Sequence, residues 1–319
     1  MVVVDAVFEP TLTSFKQLDP QTLYRLTGSL HHAVADLHLV NRYYGWFRLF
    51  LLLSLLTLGS IIYWQSDQLP LAFAGLVLLG LAESGLLITT HEALHGTLLA
   101  MPRWEKFLSC LISWPMAWPA MTYRVLHLWH HRWNSLDCRD PERIAPCSRP
   151  WLRWAVAAGG VGLILSTVQQ AWLFRQFDSR LSGRMAWDAV GICLLHATII
   201  IVAINQGVLG RYLLSWLIVE RIVGCVLQTR ALVEHWGLWQ PRQNHLLSQL
   251  YGSRNVGADL WVNALMGGLP HHSAHHAFPW IPFHHLPQAS ARIEQILVES
   301  GLPPLPRCTG YLNAIRQLL

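Results

Sequence analysis

Four long apolar stretches constrain the fold of this chain more than any other feature of its sequence. A helix that spans a bilayer takes roughly 20 consecutive apolar residues, and the stretches of about this length lie near residues 46–64, 69–90, 187–206 and 208–229. Short polar turns at 65–68 and 205–207 separate the members of each pair. The sequence therefore predicts an all-α integral membrane protein with four transmembrane helices arranged as two hairpins. The charged share, 13% of the chain, is about half that of a soluble domain and agrees with this class.

Two further apolar segments, 103–122 and 151–174, are predicted not to cross. The first contains Pro115 and Pro119 among several tryptophans, which suits a helix at the headgroup level better than a straight span. If the second crossed, the histidines before it and those near the C-terminus would face opposite sides of the membrane. Both segments are therefore predicted to be interfacial or re-entrant helices.

Basic residues are distributed unevenly, and their distribution predicts the topology. Eleven of the 23 lysines and arginines lie in the connection 91–186, whereas the turns of the two hairpins carry none. Lys and Arg accumulate on the cytoplasmic side, so we expect the N-terminal segment 1–45, the connection 91–186 and the C-terminal region 231–319 to be cytoplasmic, with hairpins at 46–90 and 187–230. The basic residues flank apolar runs, so nucleic acid is not an expected partner.

Histidines occur in three clusters with helical spacing. The clusters read HEALHG at 91–96, HLWHH at 127–131 and HSAHH at 272–276, and a further histidine follows Glu234 at the end of the fourth span. Positions i, i+3 and i+4 project from one face of a helix, so each cluster can present several imidazoles to one point. The predicted metal ligands are His91, His95, His127, His130, His131, His235, His272, His275 and His276.

Nine imidazoles are too many for one metal ion. Two ions sharing them would each have four or five nitrogens, with room left for dioxygen or substrate. Imidazole suits zinc, copper, iron and nickel, but structural zinc takes four ligands in a closed tetrahedron. The pattern favours two iron ions at the membrane surface, and zinc stays a competing interpretation.

Some of the carboxylates beside the clusters are predicted to accept hydrogen bonds from the ligand histidines, as such side chains do in metal sites. The carboxylates beside the clusters are Glu92, Glu234, Asp137, Asp140 and Glu142. For the segment 140–142 a solvated turn is an equal alternative.

Several polar residues lie inside the predicted spans. Glu83 precedes His91 by two turns, and a carboxylate within the bilayer by default marks function. It could face the metals or a substrate tunnel, or pair with Arg221 or Gln228. Glu220 and Arg221 are adjacent and are not expected to pair with each other. His196 is predicted to be a hydrogen-bonded packing residue.

The histidine clusters, together with EHWG at 234–237 and GGLPHHSAHHAFPWIP at 267–282, resemble the membrane fatty acid desaturase and hydroxylase superfamily. The resemblance extends over about residues 45–290. It implies a four-span fold with a cytoplasmic cap and a di-iron centre held almost wholly by histidine. Within the third cluster we take His272 as the ligand and His271 as its neighbour. Asn263 could be a weak or water-mediated ligand, or a plain helical asparagine.

The resemblance also implies the chemistry. Dioxygen and two electrons would oxidise an unactivated carbon of a lipid acyl chain, giving a double bond or an alcohol. The 45-residue N-terminal segment is too short for a fused cytochrome, so we expect a separate electron donor such as ferredoxin or cytochrome b5.

We expect an acyl desaturase that acts on a fatty acid or an acyl-lipid. One alternative is a carotenoid hydroxylase or ketolase, whose histidine clusters look similar. Another class, a histidine-rich metal transporter or sensor, predicts polar residues along a path through the spans. The spans offer few of these beyond Glu83, His196 and Glu220.

Overall fold

The protein is almost entirely helical in the computed structural model, which describes residues 17–134, 139–142, 150–160, 162–238 and 240–318. This confirms the all-α prediction. The α-helices are α1 (Pro20–Ala33), α2 (Arg42–Gln65), α3 (Leu69–His95), α4 (Pro102–Ser113), α5 (Ala120–Trp133), α6 (Pro150–Ala158), α7 (Leu163–Phe174), α8 (Arg180–Asn205), α9 (Leu209–His235), α10 (His245–Tyr251), α11 (Leu260–Leu265), α12 (His272–Ala277), α13 (Leu286–Glu299) and α14 (Tyr311–Leu318). Two short parallel strands, β1 (Asn255–Val256) and β2 (Arg307–Cys308), pair Asn255 with Arg307.

Within the described residues, four helices are long and apolar enough to cross a membrane: α2, α3, α8 and α9. They match the four predicted spans, and the protein is an integral membrane protein. At their C-terminal ends α3 and α9 run further than the apolar stretches indicate, because α3 continues to His95 and α9 continues to His235. Gly96, with a left-handed φ of 80°, ends α3 directly after the first histidine cluster. The cluster therefore occupies the last turns of a membrane helix.

The chain divides into two compact units. The membrane unit contains Asn41–Trp129 and Leu152–Thr229, and the terminal unit contains the described parts of Met1–Val40, His130–Trp151 and Arg230–Leu319. Three predicted ligands (His91, His95 and His127) belong to the membrane unit. The other six belong to the terminal unit.

Small residues bring α2 and α3 together in the membrane unit. A Cβ atom on Gly75 would lie 2.8 Å from the backbone nitrogen of Tyr63 and 2.9 Å from the carbonyl oxygen of Gly59. A Cβ on Gly59 would lie 3.0 Å from the carbonyl oxygen of Gly75. Only glycine permits this approach, which is the usual way in which helices pack closely in lipid.

Neither of the two shorter apolar segments forms one long helix. The first breaks into α4, a 3₁₀ turn at Trp114–Met116 and the start of α5, with Ala117 in a left-handed conformation. The second breaks between α6 and α7 at Gly160, whose φ is 62°. Here the backbone of Gly160 lies against the backbone of α9 near Arg221 and Cys225, where a side chain would not fit.

Two polar contacts bear on the residues inside the spans. The imidazole of His196 lies 3.0 Å from the carbonyl oxygen of Trp114, which is the packing role that the sequence predicts. Glu220 and Arg221 form an ion pair with each other, so the expectation that they do not pair is wrong. Both side chains are long enough to bend towards each other from adjacent positions on the helix.

A leucine-rich core holds the terminal unit together. It joins α1, α10, α12 and α13, and its fully buried members include Leu30, Leu250, Phe278 and Ile293. Ala274, in the middle of the third histidine cluster, is part of the same core. Since one face of α12 packs into this core, its histidines are fixed on the other faces of a short helix.

Candidate metal centre

Three histidines meet inside the membrane unit. His91 and His95 are one turn apart on α3, and His127 lies on α5. The His127 ring lies 4.5 Å from the His91 ring and 5.2 Å from the His95 ring, measured between centroids. One nitrogen from each ring lies within 4.8 Å of the others. The phenol oxygen of Tyr123 lies 3.1 Å from Nδ1 of His127, which orients that ring.

A buried ionic network surrounds the first histidine cluster. Oε1 of Glu92 lies 3.5 Å from Nδ1 of His91, and Oε2 accepts a hydrogen bond from the hydroxyl of Thr97 at 2.9 Å. Arg48, on α2, interacts electrostatically with Glu92 and donates to the Thr89 hydroxyl at 2.7 Å. The sequence analysis missed Arg48. Arg48 is only 5% exposed, and burying an arginine inside a membrane helix is energetically costly unless its charge is paired. An arginine within the first apolar stretch was therefore the sequence feature that could have identified this residue.

Asp188 fixes the start of the helix that carries the second cluster. Its carboxylate on α8 accepts hydrogen bonds from the Trp114 indole at 3.0 Å, from the Met121 and Thr122 backbone nitrogens at 3.3 and 2.7 Å, and from the Thr122 hydroxyl at 2.8 Å. A carboxylate at a helix N-terminus satisfies backbone N–H groups that the helix leaves unpaired. The sequence analysis missed this residue, although it lies inside an apolar stretch.

Six histidines converge in the terminal unit. Nε2 of His272 lies 2.9 Å from Nε2 of His235 and 3.0 Å from Nε2 of His276. With metal–nitrogen bonds of about 2.1 Å, two ligands at right angles around one ion place their nitrogens about 3.0 Å apart. The spacing and the imidazole donors therefore fit a metal ion. His130 joins this group, because its nitrogen, with those of His235 and His276, forms a set within 4.8 Å.

The remaining two ligand candidates of this unit are also adjacent. The His131 ring lies 4.8 Å from the His275 ring and 4.6 Å from the His276 ring, between centroids. The amide of Gln249 donates to the carbonyl oxygen of His131 at 2.6 Å, and its oxygen lies 3.3 Å from Nδ1 of His276. Gln249 thus links α5 to α12 within the terminal unit, and it is a further residue that the sequence analysis missed.

Asp140 is hydrogen-bonded to the imidazole ring of His130. Both of its carboxylate oxygens lie 3.0 Å from Nδ1 of His130, and both side chains are buried. The backbone nitrogen of Glu142 donates to Asp140 at 2.8 Å. The segment is therefore packed against the histidines, unlike the solvated turn that the sequence allowed as an alternative. Burial alone would lower the pKa of His130, but the Asp140 and Glu142 carboxylates raise it to about 9.

Glu234 is placed differently from the prediction. It is expected to accept from the outer N–H of a histidine, but its Oε2 lies 3.3 Å from Nε2 of His272, the nitrogen that faces the other rings. The Arg230 guanidinium lies 3.7 Å from the same oxygen. The donor set on this side therefore includes a carboxylate beside His235 and His272.

Burial and the neighbouring imidazoles hold the pKa of His276 well below its usual range, which keeps that ring neutral.

Arg254 holds the end of α9 next to these residues. Its side chain donates to the carbonyl oxygens of Val233 and Trp236, and its backbone nitrogen donates to the carbonyl oxygen of Glu234 at 2.8 Å. Carbonyl groups at a helix C-terminus lack partners within the helix, and a cation there is favourable. Arg254 thereby fixes the turn that carries His235.

Three further residues that the sequence suggested for the site are Asp137, Asn263 and Glu83. Asp137 lies outside the described residues. Asn263 is half-buried on α11, and its side-chain oxygen has no hydrogen-bond partner among the described residues. Glu83 lines an apolar cavity of the membrane unit, eight residues before His91 along α3. Glu83 is not part of the candidate metal-binding groups found among the described residues.

Comparison with known proteins agrees with the helices and the histidine groups. The chain is 24% identical to a ceramide hydroxylase of Caulobacter vibrioides, over 92% of this chain and 93% of that protein. It is 28% identical to fatty acid desaturase 3 of Bos taurus, over 34% of this chain and 29% of that protein. The fatty acid desaturase family model matches residues 68–306, a range that contains all nine predicted ligand histidines. This chain belongs to the fatty acid desaturase family.

Proposed function

We propose that the nine histidines hold two iron ions, and that the protein uses them with dioxygen to oxidise the acyl chain of a membrane lipid. The observation that carries the proposal is the convergence of His235, His272 and His276, whose Nε2 atoms are 2.9 and 3.0 Å apart at the nearest pairs. The membrane unit adds a second group of three imidazoles. The total exceeds what one ion can bind and leaves each of two ions four or five nitrogens.

A pair of bound iron ions supplies the oxidising power that removes hydrogen from an unactivated carbon. The residues of the chain prepare their ligands for this task. Asp140 keeps Nδ1 of His130 in a hydrogen bond, so that the other ring nitrogen is left to face a metal. The neutral state of His276 leaves a lone pair for coordination. The histidines of the described groups are buried or nearly so, which keeps bulk water away from their ring nitrogens.

We favour desaturation as the reaction. It removes one hydrogen from each of two neighbouring carbons, and with one dioxygen, two electrons and two protons it yields a double bond and two waters. The electrons come from a separate carrier such as ferredoxin or cytochrome b5. The arginine-rich connection 91–186 supports a site and termini that face the cytoplasm.

Hydroxylation is a second candidate. It is favoured by the similarity to the ceramide hydroxylase, which extends over almost the full length of both chains. The same oxidation of a C–H bond then ends with an oxygen atom bound to carbon and one water. Ligand type and geometry do not separate these outcomes, because both begin with the removal of one hydrogen.

Lipid and pigment profiling after expression tests the proposal. The protein is produced in a host that makes β-carotene, with His130→Ala as the inactive control. Desaturation predicts acyl chains that have lost two hydrogens, and hydroxylation predicts lipids that have gained one oxygen. Both changes should be missing with His130→Ala. Oxygenated carotenoid with unchanged lipids would contradict the acyl-chain proposal and support the carotenoid alternative.

A further inference from the structure

An apolar cavity lies between α2, α3 and α4 of the membrane unit. Its volume is about 460 Å³, within the range of small-molecule sites. Its walls are leucine, isoleucine, phenylalanine, tryptophan and proline side chains, and Glu83 is the one charged residue that lines it among those described. Phe50 and Leu111 on its rim are 72% and 51% exposed. Because this surface includes the exposed face of the membrane helix α2, the cavity opens towards lipid.

Glu83 is the polar feature of this cavity. Its side chain is only 5% exposed, and Oε1 has no hydrogen-bond partner among the described residues. A buried polar atom without a partner is unfavourable, and in lipid no water compensates for it. Of the two partners that the sequence offered, Arg221 pairs with Glu220 instead, and Gln228 does not line the cavity. An unprotonated carboxyl oxygen accepts a hydrogen bond and a protonated carboxyl can also donate one, so a hydroxyl group, which donates and accepts, suits either state.

The depth of Glu83 indicates which donor this is. Glu83 follows Leu69, the start of α3, by 14 residues and precedes His95, its end, by 12. At a rise of 1.5 Å per residue these spacings are about 21 and 18 Å, and the apolar stretch of the helix ends near residue 90, so Glu83 lies roughly 10 Å inside the hydrocarbon. Headgroup amides and alcohols lie at the surface of the bilayer. A donor at this depth therefore belongs to the hydrocarbon chain of a lipid.

The cavity also extends towards the histidine end of the unit. Its wall on α2 runs from Trp46 to Leu56, which is about 15 Å of helix. The hydrogen bond between Arg48 and Thr89 sets the register of α2 against α3 and places Trp46 near the level of His91. A hydrocarbon chain in the cavity would thus run from that level to Glu83.

We propose that this cavity binds a lipid whose hydrocarbon chain carries a hydroxyl group, and that Glu83 accepts a hydrogen bond from that hydroxyl. The apolar wall binds the chain, and the carboxyl selects the hydroxylated form. The inference goes beyond the proposed oxidation and does not depend on its outcome, because it concerns lipid binding in the membrane unit. Its readout is binding rather than turnover.

The test uses the purified full-length protein in detergent with two labelled lipids. One is a phosphatidylcholine with 12-hydroxyoctadecanoyl chains, and the other is its octadecanoyl counterpart. One hydrogen bond to a buried acceptor predicts a preference of about tenfold for the hydroxylated lipid. Glu83→Gln, which retains an acceptor oxygen, should keep the preference, and Glu83→Leu should abolish it.

A second pair of variants tests the cavity itself. Leu111→Trp fills the rim and should lower the binding of both lipids, whereas Leu58→Trp changes a similarly exposed leucine of α2, 48% exposed, that does not line the cavity. Iron content measured on the same samples shows whether the metal centre is intact, which separates this test from the proposed function. Equal binding of both lipids by the wild type, or a preference that survives Glu83→Leu, would overturn the proposal. So would equal losses in the two tryptophan variants.

Discussion

Replacing Asp140 should weaken metal binding through His130 without removing a ligand. Both carboxylate oxygens lie 3.0 Å from Nδ1 of His130, and the two side chains are 0% and 2% exposed. Loss of such a partner lowers metal affinity about 10–100-fold, or roughly 1.4–2.7 kcal/mol. Asp140→Asn keeps an acceptor oxygen but loses the charge, so we expect the lower end of this range. Asp140→Ala loses both and should reach the upper end.

Competition with a chelator measures this effect. Iron retained by the purified protein is determined at increasing chelator concentration for the wild type and both variants. Asp36→Asn is the matched control, because Asp36 is an exposed carboxylate of the terminal unit that pairs with Arg292. Unchanged iron retention in Asp140→Ala would refute the reasoning. An equal loss in Asp36→Asn would also refute it, since the effect would then not come from His130.

Three further predictions concern stability and packing. In metal-free protein the raised pKa of His130, about 9, means that its pairing with Asp140 stabilises the fold fully below the unfolded value near 6.5. This stabilisation is lost as the pH rises through 9, so Asp140→Asn should destabilise the chelator-treated protein more at pH 6 than at pH 10 in urea unfolding, and the reverse order would contradict it. Asp188→Ala removes an acceptor that serves four hydrogen bonds and should lower the free energy of unfolding by about 2–4 kcal/mol. Its melting temperature should therefore be lower than that of Asp67→Ala, a control in an exposed loop. Equal melting temperatures would count against the anchoring role of Asp188. Gly75→Leu should disrupt the hairpin of α2 and α3, because a Cβ there meets backbone atoms at 2.8 and 2.9 Å, whereas Gly210→Leu has open space; the comparison of folded yield and melting temperature fails the prediction if both variants behave alike.

Periodic features were predictable from the sequence alone. Hydropathy located the four spans, because a bilayer requires apolar side chains along the whole length of a helix. Helical spacing identified the histidine clusters, since positions i, i+3 and i+4 share a face whatever the helix packs against. Proximity along the chain also pointed to Asp140, ten residues after His130.

Contacts between distant segments were not predictable in the same way. Asp188 reaches Thr122 across 66 residues, and Arg48 reaches Thr89 across 41. No local sequence pattern determines which helices become neighbours. The partner of a buried charged residue therefore cannot be predicted, even where the residue itself is easily recognised in an apolar stretch. The Glu220–Arg221 ion pair, between adjacent residues, was missed for a different reason. Helical geometry separates their Cβ directions, but long flexible side chains can still meet.

The metal content of the purified protein tests the central claim most directly. If the nine imidazoles hold two iron ions, plasma emission spectroscopy should find two iron ions for each wild-type chain. His235→Ala should lose part of this iron, because Nε2 of His235 lies 2.9 Å from Nε2 of His272 and is proposed to bind the same ion. A single exchangeable zinc ion per chain would contradict the account and favour a transporter or sensor. Iron that is fully retained after His235→Ala would contradict the role given to that ligand.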